Sequence, residues 1–489
     1  MLGKPDQKAH FSGFGSPSAV SAANHPGPAS QFFLDREKRF FAISMAKKLA
    51  QTPKIGHYDD MKCDIEIFLD GAWRRAAVFE LTSEAEAAKG IQGAGFLEYD
   101  ADYAADHLDA AGIEAISCRY PVNFEFHRRS SWPAFLLDIL PAGANRGHFL
   151  RAMNMADGPE ADWPLLLEGG GNPPGNLRIA QAAPPEPGDF RHAGFPLEDV
   201  LERGPDFIEY ARANNAPVAG SSGAQGEAPK FLLTRDRRDR WHADGALPDE
   251  RAARHWLVKF PRGKKPLDRD ILRNEAAYYR VARAVGLHVG EAVQFESDAL
   301  FVPRFDREIA GTTVRRLGLE SLAAVANVTV FGARVPQERL CAAMARFSSE
   351  PASDIAEFVF RDVLNVAMGN TDNHPRNSAL RKTRDGAVRL SPLYDFAPMF
   401  LDDQGIPRAC RWSGAEDFGL PEWGRVAELL EEFGIDAKFL RARLADFAKT
   451  VRRLPEIMGD CGVDGWLIER LARRIDTVAR SLDAAGPAG

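Results

Sequence analysis

The sequence has few cysteines and no long apolar run, and both features exclude whole classes of protein. Its 489 residues include 5 cysteines, none of them in a CxxC pair, which argues against a disulfide-stapled scaffold and a zinc ribbon. It contains no run of about 18 apolar residues, so we expect no membrane span. The opening residues, MLGKPDQKAH, lack the basic and apolar regions of a signal peptide. We therefore expect a cytoplasmic protein.

An excess of basic residues is also missing. The chain carries 62 lysines and arginines against 69 aspartates and glutamates, a net charge of -7. This balance argues against a broad surface that coats nucleic acid, although it leaves a local basic patch open. The length corresponds to about three domains, or to one large two-lobed body, at roughly 150 residues per domain.

The order of the predicted elements divides the chain into four parts. Residues 1–57 are predicted to be disordered or to bind a partner. Residues 58–185 are predicted to form a β-rich subdomain, residues 200–308 a small β-rich lobe, and residues 309–489 a mostly helical lobe. A cleft between two such lobes would favour ligand binding.

Within the β-rich subdomain, the pattern predicts particular elements. The strands DIEIFL at 64–69 and WRRAAVFEL at 73–81 flank an AspGly hairpin turn at 70–71. A helix is predicted over 100–111 and an extended segment over 116–124.

The segment NTDNHPRN has the spacing of a kinase catalytic loop, because Asp372 and Asn377 form a D-x-x-x-x-N pattern. In phosphoryl transfer, a carboxylate accepts the hydroxyl proton and an oxygen ligand holds Mg²⁺ beside the phosphates. A buried apolar helix over 355–367, ended by Gly369, would hold such a loop rigidly. Taken alone, the pattern also fits a capped turn.

A second acidic residue, Asp395, follows the apolar, strand-like ValArgLeu. The tripeptide Asp395-Phe396-Ala397 is similar to the metal-binding DFG of kinases, with alanine in the glycine position. A carboxylate at a strand end can bridge Mg²⁺ to the β- and γ-phosphates. An aspartate that caps the next turn is the structural alternative.

A lysine and a glutamate occupy positions that are predicted to be buried. Lys259 lies in the apolar strand HWLVKFP, and Glu275 lies on the apolar stripe of the helix DRDILRNEAAYYRVARAVG. Neither charge is easily buried without a partner. Kinases use such a lysine and glutamate to orient the phosphates of ATP. An ordinary buried salt bridge predicts the same contact.

A glycine-rich segment, AGSSGAQGEAPK at 219–230, precedes these elements. Glycines let backbone N–H groups approach phosphates. The segment lacks the GK[ST] of a P-loop, and it fits a flexible linker equally well.

Between the two predicted lobes, the segment PheValProArgPheAspArg at 301–307 ends a strand. The backbone of a kinase hinge binds adenine at this position. For the side chains of Arg304, Asp306 and Arg307 we favour a structural ion-pair cluster.

With these features in this order, the sequence resembles the HipA family of bacterial toxin-like serine/threonine kinases, and within it the YjjJ-like branch. The resemblance covers about residues 60–480 and is carried by the segments SSGAQGEAPKFLL, HWLVKFP, RNEAAYYRVARAVGLHV, VPRFDRE, NVAMGNTDNHPRNSAL, SPLYDFAP, YDADYAADHLD, AISCRYPVNFE, LLDILPAG and GGGNPPGNLRI. It implies an α+β fold, with a two-lobed protein-kinase-like body, an amino-terminal β-rich subdomain and a mostly helical carboxy-terminal lobe.

The resemblance also implies roles for individual residues. Asp372 would be the catalytic base, and Asn377 and Asp395 would hold Mg²⁺. The residues implied to bind ATP are Gly223, Ala224, Gln225, Lys259, Glu275, His374 and Tyr394. Self-phosphorylation of the glycine-rich loop would fall on Ser221 or Ser222.

The implied activity is phosphorylation of a protein substrate, for example a component of translation, with ATP and Mg²⁺. A helix-turn-helix antitoxin is the implied partner, and contact with DNA would be indirect or through that partner. Two alternatives stay open: a catalytically silent kinase fold that regulates transcription with a helix-turn-helix partner, and a kinase that acts on a small molecule.

Overall fold

The computed structural model describes residues 61–183, 193–214, 216–218 and 228–486, all within one compact unit, Lys54–Gly489. The predicted amino-terminal segment 1–57 lies outside the described residues. So do five predicted site residues of the glycine-rich loop: Ser221, Ser222, Gly223, Ala224 and Gln225. None of the helices in these described ranges is long and apolar enough to cross a membrane.

The first part of the fold, called here the amino-terminal subdomain, is an antiparallel sheet in the order β4-β3-β2-β1-β5 with short helices. The strands are β1 Lys62–Leu69, β2 Ala72–Leu81, β3 Gly95–Tyr99, β4 His127–Arg129 and β5 Leu177–Ile179. The helices are α1 Glu84–Ala87, α2 Ala101–Asp106, α3 Leu136–Ile139, α4 Gly143–Ala152 and α5 Asp162–Gly169.

The predicted β1–β2 hairpin is confirmed. Asp70 and Gly71 both have positive φ, 51° and 84°, as a two-residue turn of type I′ requires. The predicted helix over 100–111 is too long, because Asp109 adopts a left-handed φ of 64° beyond the end of α2. The prediction of an extended segment over 116–124 is wrong, because the chain turns back between Ser117 and Tyr120, which form an antiparallel bridge. Within this turn, the N–H of Cys118 donates to the carboxylate of the distant Glu320.

The second part, called here the small lobe, is a sheet in the order β10-β11-β9-β7-β6, with β8 paired to β7. Its strands are β6 Pro217–Val218, β7 Lys230–Asp236, β8 Trp241–Ala243, β9 Ala252–Lys259, β10 Gln294–Glu296 and β11 Ala299–Pro303. Its helices are α6 Leu197–Glu202, α7 Pro205–Ala213 and α8 Pro266–Ala284. Helix α8 packs its buried face, including Leu272 and Tyr279, against Leu257 of β9.

The third part, called here the helical lobe, holds the largest apolar cluster of the described chain. Its strands are β12 Arg307–Ala310, β13 Thr313–Arg316, β14 Gly318–Ser321, β15 Ala379–Lys382, β16 Val388–Leu390, β17 Glu416–Asp417 and β18 Leu420–Pro421. Its helices are α9 Leu322–Val325, α10 Gln337–Phe347, α11 Pro351–Met368, α12 Trp423–Leu429, α13 Ala437–Arg452, α14 Leu454–Asp460 and α15 Gly465–Ala484.

Helix α11 confirms the helix predicted from the apolar stripe. Val359 and Val363 are fully buried, and Gly369 ends the helix with a left-handed φ of 72°. A side chain at Gly369 would also meet the ring of Phe400, since a Cβ there would lie 2.5 Å from its Cδ1. The loop that follows therefore leaves a buried and sharply ended helix.

Candidate active site

The predicted pair of buried charges is present, and a third charged residue joins it. Lys259 ends β9 on the face that packs against α8. Its Nζ lies 2.5 Å from Oε1 of Glu275 on that helix, and the same ammonium pairs with the carboxylate of Asp395. Because Lys259 and Glu275 are only 3% and 5% exposed, each charge depends on its partners for stabilisation.

Burial disfavours charge on each member of this cluster, and opposite charges nearby decide the outcome. Burial lowers the pKa of Lys259, but the carboxylates of Asp395 and Glu275 outweigh it and raise that pKa well above its usual value. Burial raises the pKa of Asp395, but the ammonium groups of Lys230 and Lys259 outweigh it and hold that pKa well below its usual value. For Glu275, burial wins over the nearby Lys259 charge and raises the pKa.

Asp395 is held in place by residues of the small lobe. Just before it, Leu393 forms a parallel bridge with Val289, and the N–H of Asp395 donates to the hydroxyl of Tyr279 at 3.0 Å. Asp395 has a φ of 51°, a left-handed conformation that aspartate tolerates better than most residues. Its carboxylate lies 3.6 Å from the Nζ of Lys230.

The catalytic loop predicted from the D-x-x-x-x-N pattern is the segment 370–378, which connects α11 to β15 without regular structure. The side-chain N–H of Asn377 donates to the carbonyl of Asp372 at 2.7 Å, and its backbone N–H donates to the carbonyl of His374 at 2.9 Å. These bonds fold the loop back on itself. Asp372, His374, Asn377 and Asp395 line one small cavity of about 30 Å³, so the structure brings both predicted motifs together.

His374 and Tyr394 brace this loop from inside. Nδ1 of His374 accepts the N–H of Arg376 at 3.2 Å, and its Nε2 lies 3.6 Å from Oδ1 of Asp372. Burial lowers the pKa of His374, which favours the neutral ring that this bond requires. The hydroxyl of Tyr394 donates to the carbonyl of Arg376 at 2.7 Å, and burial raises the pKa of Tyr394 well above its usual value.

A larger cleft of about 270 Å³ lies beside the charged cluster. The small lobe contributes Lys230 and Lys259 to its walls, the hinge contributes residues 302–305, and Asp395 lies at the side of the helical lobe. Asp138 and neighbouring residues of the amino-terminal subdomain close another side. The cleft therefore combines an apolar hinge wall with a charged end, as ligand sites commonly do.

The hinge side chains form the ion-pair cluster that the sequence favours. Arg304 bonds both oxygens of Asp306, at 2.9 and 2.5 Å, and pairs with Asp244 at 2.5 Å. Arg307 bonds Asp306 at 2.8 Å and the carbonyl of Gly175 at 2.8 Å. This buried network joins the hinge to the amino-terminal subdomain and gives these side chains a structural role.

Sequence reasoning missed three charged residues that line the cleft: Lys230, Asp138 and Arg376. Lys230 lies directly opposite Lys259 in the β7–β9 pairing, a register that the sequence does not reveal. Arg376 lies inside the NTDNHPRN motif, and this position beside Asp372 and Asn377 could have indicated that it lies near the site. Asp138 comes from a different subdomain, and no local sequence pattern indicates that it lies near the loop.

The oxygen donors of this site fit a magnesium ion that is shared with a nucleotide. Within the described ranges, no three His, Cys, Asp or Glu side chains are grouped as metal ligands. Magnesium in phosphoryl-transfer sites uses one or two carboxylates together with substrate phosphates and water. Asp395 and Asn377, which line the same cavity, match this smaller requirement.

A small β-rich lobe, a helical lobe and a cleft with a buried lysine–glutamate pair define a kinase-like protein. Residues 221–454 match the family described as the HipA-like C-terminal domain. The protein named "Putative kinase Y4mE" from Sinorhizobium fredii is 26% identical over 409 residues, which cover 77% of this chain and 91% of that protein. Residues 221–454 are thus similar to the HipA-like C-terminal domain, and the predicted resemblance to the HipA family is confirmed.

A solved structure has the same overall architecture. It comes from the toxin–antitoxin system of Shewanella oneidensis MR-1, a complex of HipA, HipB and operator DNA. The match has a TM-score of 0.57 and 16% identity, and it covers 86% of this chain and 96% of that chain. At this identity the likeness shows the fold, and the predicted α+β, kinase-like fold class is confirmed.

Proposed function

We propose that this protein is an ATP- and Mg²⁺-dependent serine/threonine protein kinase of the HipA toxin type. The observation that supports the proposal most directly is that Asp395 lies next to two other predicted features. Its carboxylate pairs with Lys259, which also pairs with Glu275. It also lines the same cavity as Asp372 and Asn377. A structural salt bridge would account for the lysine and the glutamate, but it would not require the catalytic loop to lie beside them.

The proposed roles follow from the chemistry of phosphoryl transfer. Asp372 would accept the proton of the acceptor hydroxyl as its oxygen bonds to the γ-phosphorus and the bond to ADP breaks. Lys259, held by Glu275, would bind phosphate oxygens together with Lys230. Asp395 and Asn377 would hold Mg²⁺, which when bound supplies positive charge to the phosphates.

We also propose that the glycine-rich segment 219–230 binds the nucleotide. Gly223, Ala224 and Gln225 are proposed to bind phosphates through their backbone N–H groups. Ser221 and Ser222 are proposed acceptors for self-phosphorylation. Phosphopeptide mapping after incubation with ATP tests this part, and a loop without phosphate would contradict it.

The partner is proposed by analogy with the solved complex, in which HipA is assembled with HipB and operator DNA. We propose a helix-turn-helix antitoxin for this chain, with DNA contacted through that partner. Isolation of the tagged protein with a small DNA-binding protein encoded nearby would support this proposal, and a stable monomer without such a protein would oppose it.

The test of the activity uses the purified full chain, γ-labelled ATP, Mg²⁺ and a cell lysate. We expect label on protein, and we expect Asp372→Asn to reduce transfer by about 10²- to 10⁴-fold, the usual contribution of a general base. Asp385→Asn is the matched control, because it makes the same change at an exposed turn. Both variants should unfold at the wild-type temperature.

Other outcomes favour the other hypotheses. Nucleotide binding without any label transfer would indicate a silent kinase fold that acts as a transcriptional co-regulator. Label on a small molecule, with none on protein, would indicate a small-molecule kinase. Equal transfer by Asp372→Asn and wild type would show that Asp372 is not the base.

A further inference from the structure

A carboxylate of the amino-terminal subdomain reaches the middle of the catalytic loop. Oδ1 of Asp138 pairs with Nη1 of Arg376 at 2.5 Å. Its two oxygens also accept the hydroxyl of Ser321 at 2.7 Å and the backbone N–H of Ser321 at 2.9 Å. One side chain on α3 therefore holds two points of the helical lobe.

The first of these points, Ser321, begins the short helix α9, and this helix supports the loop. The Ser321 hydroxyl accepts the N–H of Ala324 at 3.1 Å as an N-cap. The first two N–H groups of α9 donate to carbonyls of the loop: Leu322 to Ser378 at 2.8 Å, and Ala323 to Pro375 at 3.0 Å. Asp138 thus fixes the helix start that in turn fixes the loop.

The second point, Arg376, is fixed at both ends. Its guanidinium pairs with Asp138 and lies 4.7 Å from the ring of Phe331. Its backbone N–H donates to His374, and its carbonyl accepts the hydroxyl of Tyr394. The residue that pairs with Asp138 is therefore also bonded to both side chains that brace the loop.

We infer that Asp138 is a positioning residue for phosphate transfer: through Arg376 and Ser321 it holds the loop that carries Asp372 and Asn377. The amino-terminal subdomain would then be a working part of the active site. This inference rests on the proposed kinase function, and its test must separate the two.

Asp138→Asn is the informative variant, because it keeps the size and an acceptor for Ser321 but removes the charge that pairs with Arg376. We expect kcat to fall by about 10- to 100-fold, because a small misplacement of reacting groups has effects of this size. The KM for ATP should change much less than kcat, since the proposed phosphate contacts Lys230, Lys259 and Asp395 are untouched. A loss of stability alone would not give this separation of kcat from KM.

Two further variants test the route. Arg376→Gln should lower kcat as Asp138→Asn does, and the double variant should fall no further, because the two residues act as one unit. Asp70→Asn is the matched control. It breaks the exposed ion pair between Asp70 of the β1–β2 turn and Arg384 of the β15–β16 turn. This pair also joins the amino-terminal subdomain to the helical lobe, but away from the loop 370–378.

Hydrogen exchange of the loop amides provides a measurement that needs no activity. In Asp138→Asn, the amides of 370–378 should exchange faster than in wild type, while those of α11 should not. If wild type transfers no phosphate, the proposed function fails, yet faster loop exchange would still support the positioning of the loop by Asp138. Unchanged exchange, unchanged kcat, or an equal loss of kcat in Asp70→Asn would overturn the inference.

Discussion

Lys230 and Lys259 lie directly opposite each other on β7 and β9, and both pair with Asp395. Like charges at facing positions of a sheet repel each other, so this arrangement requires anions nearby. Glu275 and Asp395 supply two, and the phosphates of ATP would supply more in the proposed function. The four residues therefore act as one electrostatic unit, and a change at one alters the charge balance of all.

Removal of the central lysine should damage both stability and binding. In Lys259→Met, Glu275 and Asp395 lose their shared partner, and breaking a buried pair in this way typically costs about 3–5 kcal/mol. We expect a fall of this size in the free energy of unfolding, measured with urea, together with loss of fluorescent-nucleotide binding.

The double variant Lys259→Met/Glu275→Gln separates these effects. It removes the charge of Glu275, the carboxylate that Lys259→Met leaves without its partner, so it should recover much of the stability but none of the nucleotide binding. Lys265→Met, at an exposed lysine that pairs with Asp403, should leave both measurements unchanged. If Lys259→Met binds nucleotide as wild type does, the proposed phosphate site is wrong.

Asn377 should set the magnesium requirement. Asn377→Ala removes a proposed oxygen ligand and the donor to the Asp372 carbonyl. We expect the Mg²⁺ concentration for half-maximal transfer to rise by about 10- to 100-fold, as changes at the surroundings of metal sites do. Asn123→Ala in the amino-terminal subdomain serves as the control. An unchanged Mg²⁺ dependence of Asn377→Ala would remove Asn377 from the metal site.

His374 should make the folded protein sensitive to mild acid. Burial lowers its pKa below the ordinary value of 6.5, so the unfolded chain takes up the proton more readily than the folded one. The contribution of His374 to the free energy of unfolding is therefore complete above pH 6.5 and is lost as the pH falls through the lowered pKa. Protonation would also remove the Nδ1 acceptor that holds Arg376.

The variant His374→Asn tests this dependence, because the amide can accept the same N–H and does not titrate. Urea denaturation between pH 7.5 and pH 5.5 should show a smaller loss of stability in His374→Asn than in wild type. The other histidines remain in both proteins, so the difference reports His374. Parallel curves would contradict the assignment.

Gly369 should be intolerant of a side chain for two reasons, and a second glycine separates them. Gly434 also has a positive φ, 78°, but a Cβ there would meet nothing within 4 Å. The free energy of unfolding of Gly434→Ala should therefore fall only by the cost of a left-handed alanine, about 1–2 kcal/mol. The free energy of unfolding of Gly369→Ala should fall by a further ~1–3 kcal/mol, because its Cβ meets the ring of Phe400.

Urea denaturation of the two glycine variants gives the comparison directly. Because Gly369 immediately precedes the proposed catalytic loop, Gly369→Ala should also reduce phosphate transfer, whereas Gly434→Ala should not. Equal losses of stability would mean that the Phe400 contact is relieved without cost.

Local sequence patterns predicted the elements that carry the site. The apolar stripe predicted α11, the AspGly pair predicted the hairpin turn, and the strand with Lys259 and the helix with Glu275 are both present. These predictions depend on periodicity and turn chemistry, which act over a few residues. The segment 116–124 shows the limit of such patterns, since it forms a turn in which Cys118 donates to the carboxylate of Glu320, about two hundred positions away.

The amino-acid sequence by itself determined which side chains need partners of opposite charge. Lys259 and Glu275 lie on apolar surfaces, where an isolated charge is unfavourable, so a pairing was required whatever the fold. Only the tertiary structure decided which pairs formed elsewhere: the strand register that sets Lys230 opposite Lys259, and the packing that brings Asp138 to Arg376. Register and packing depend on contacts between residues far apart in sequence, and no local pattern encodes them.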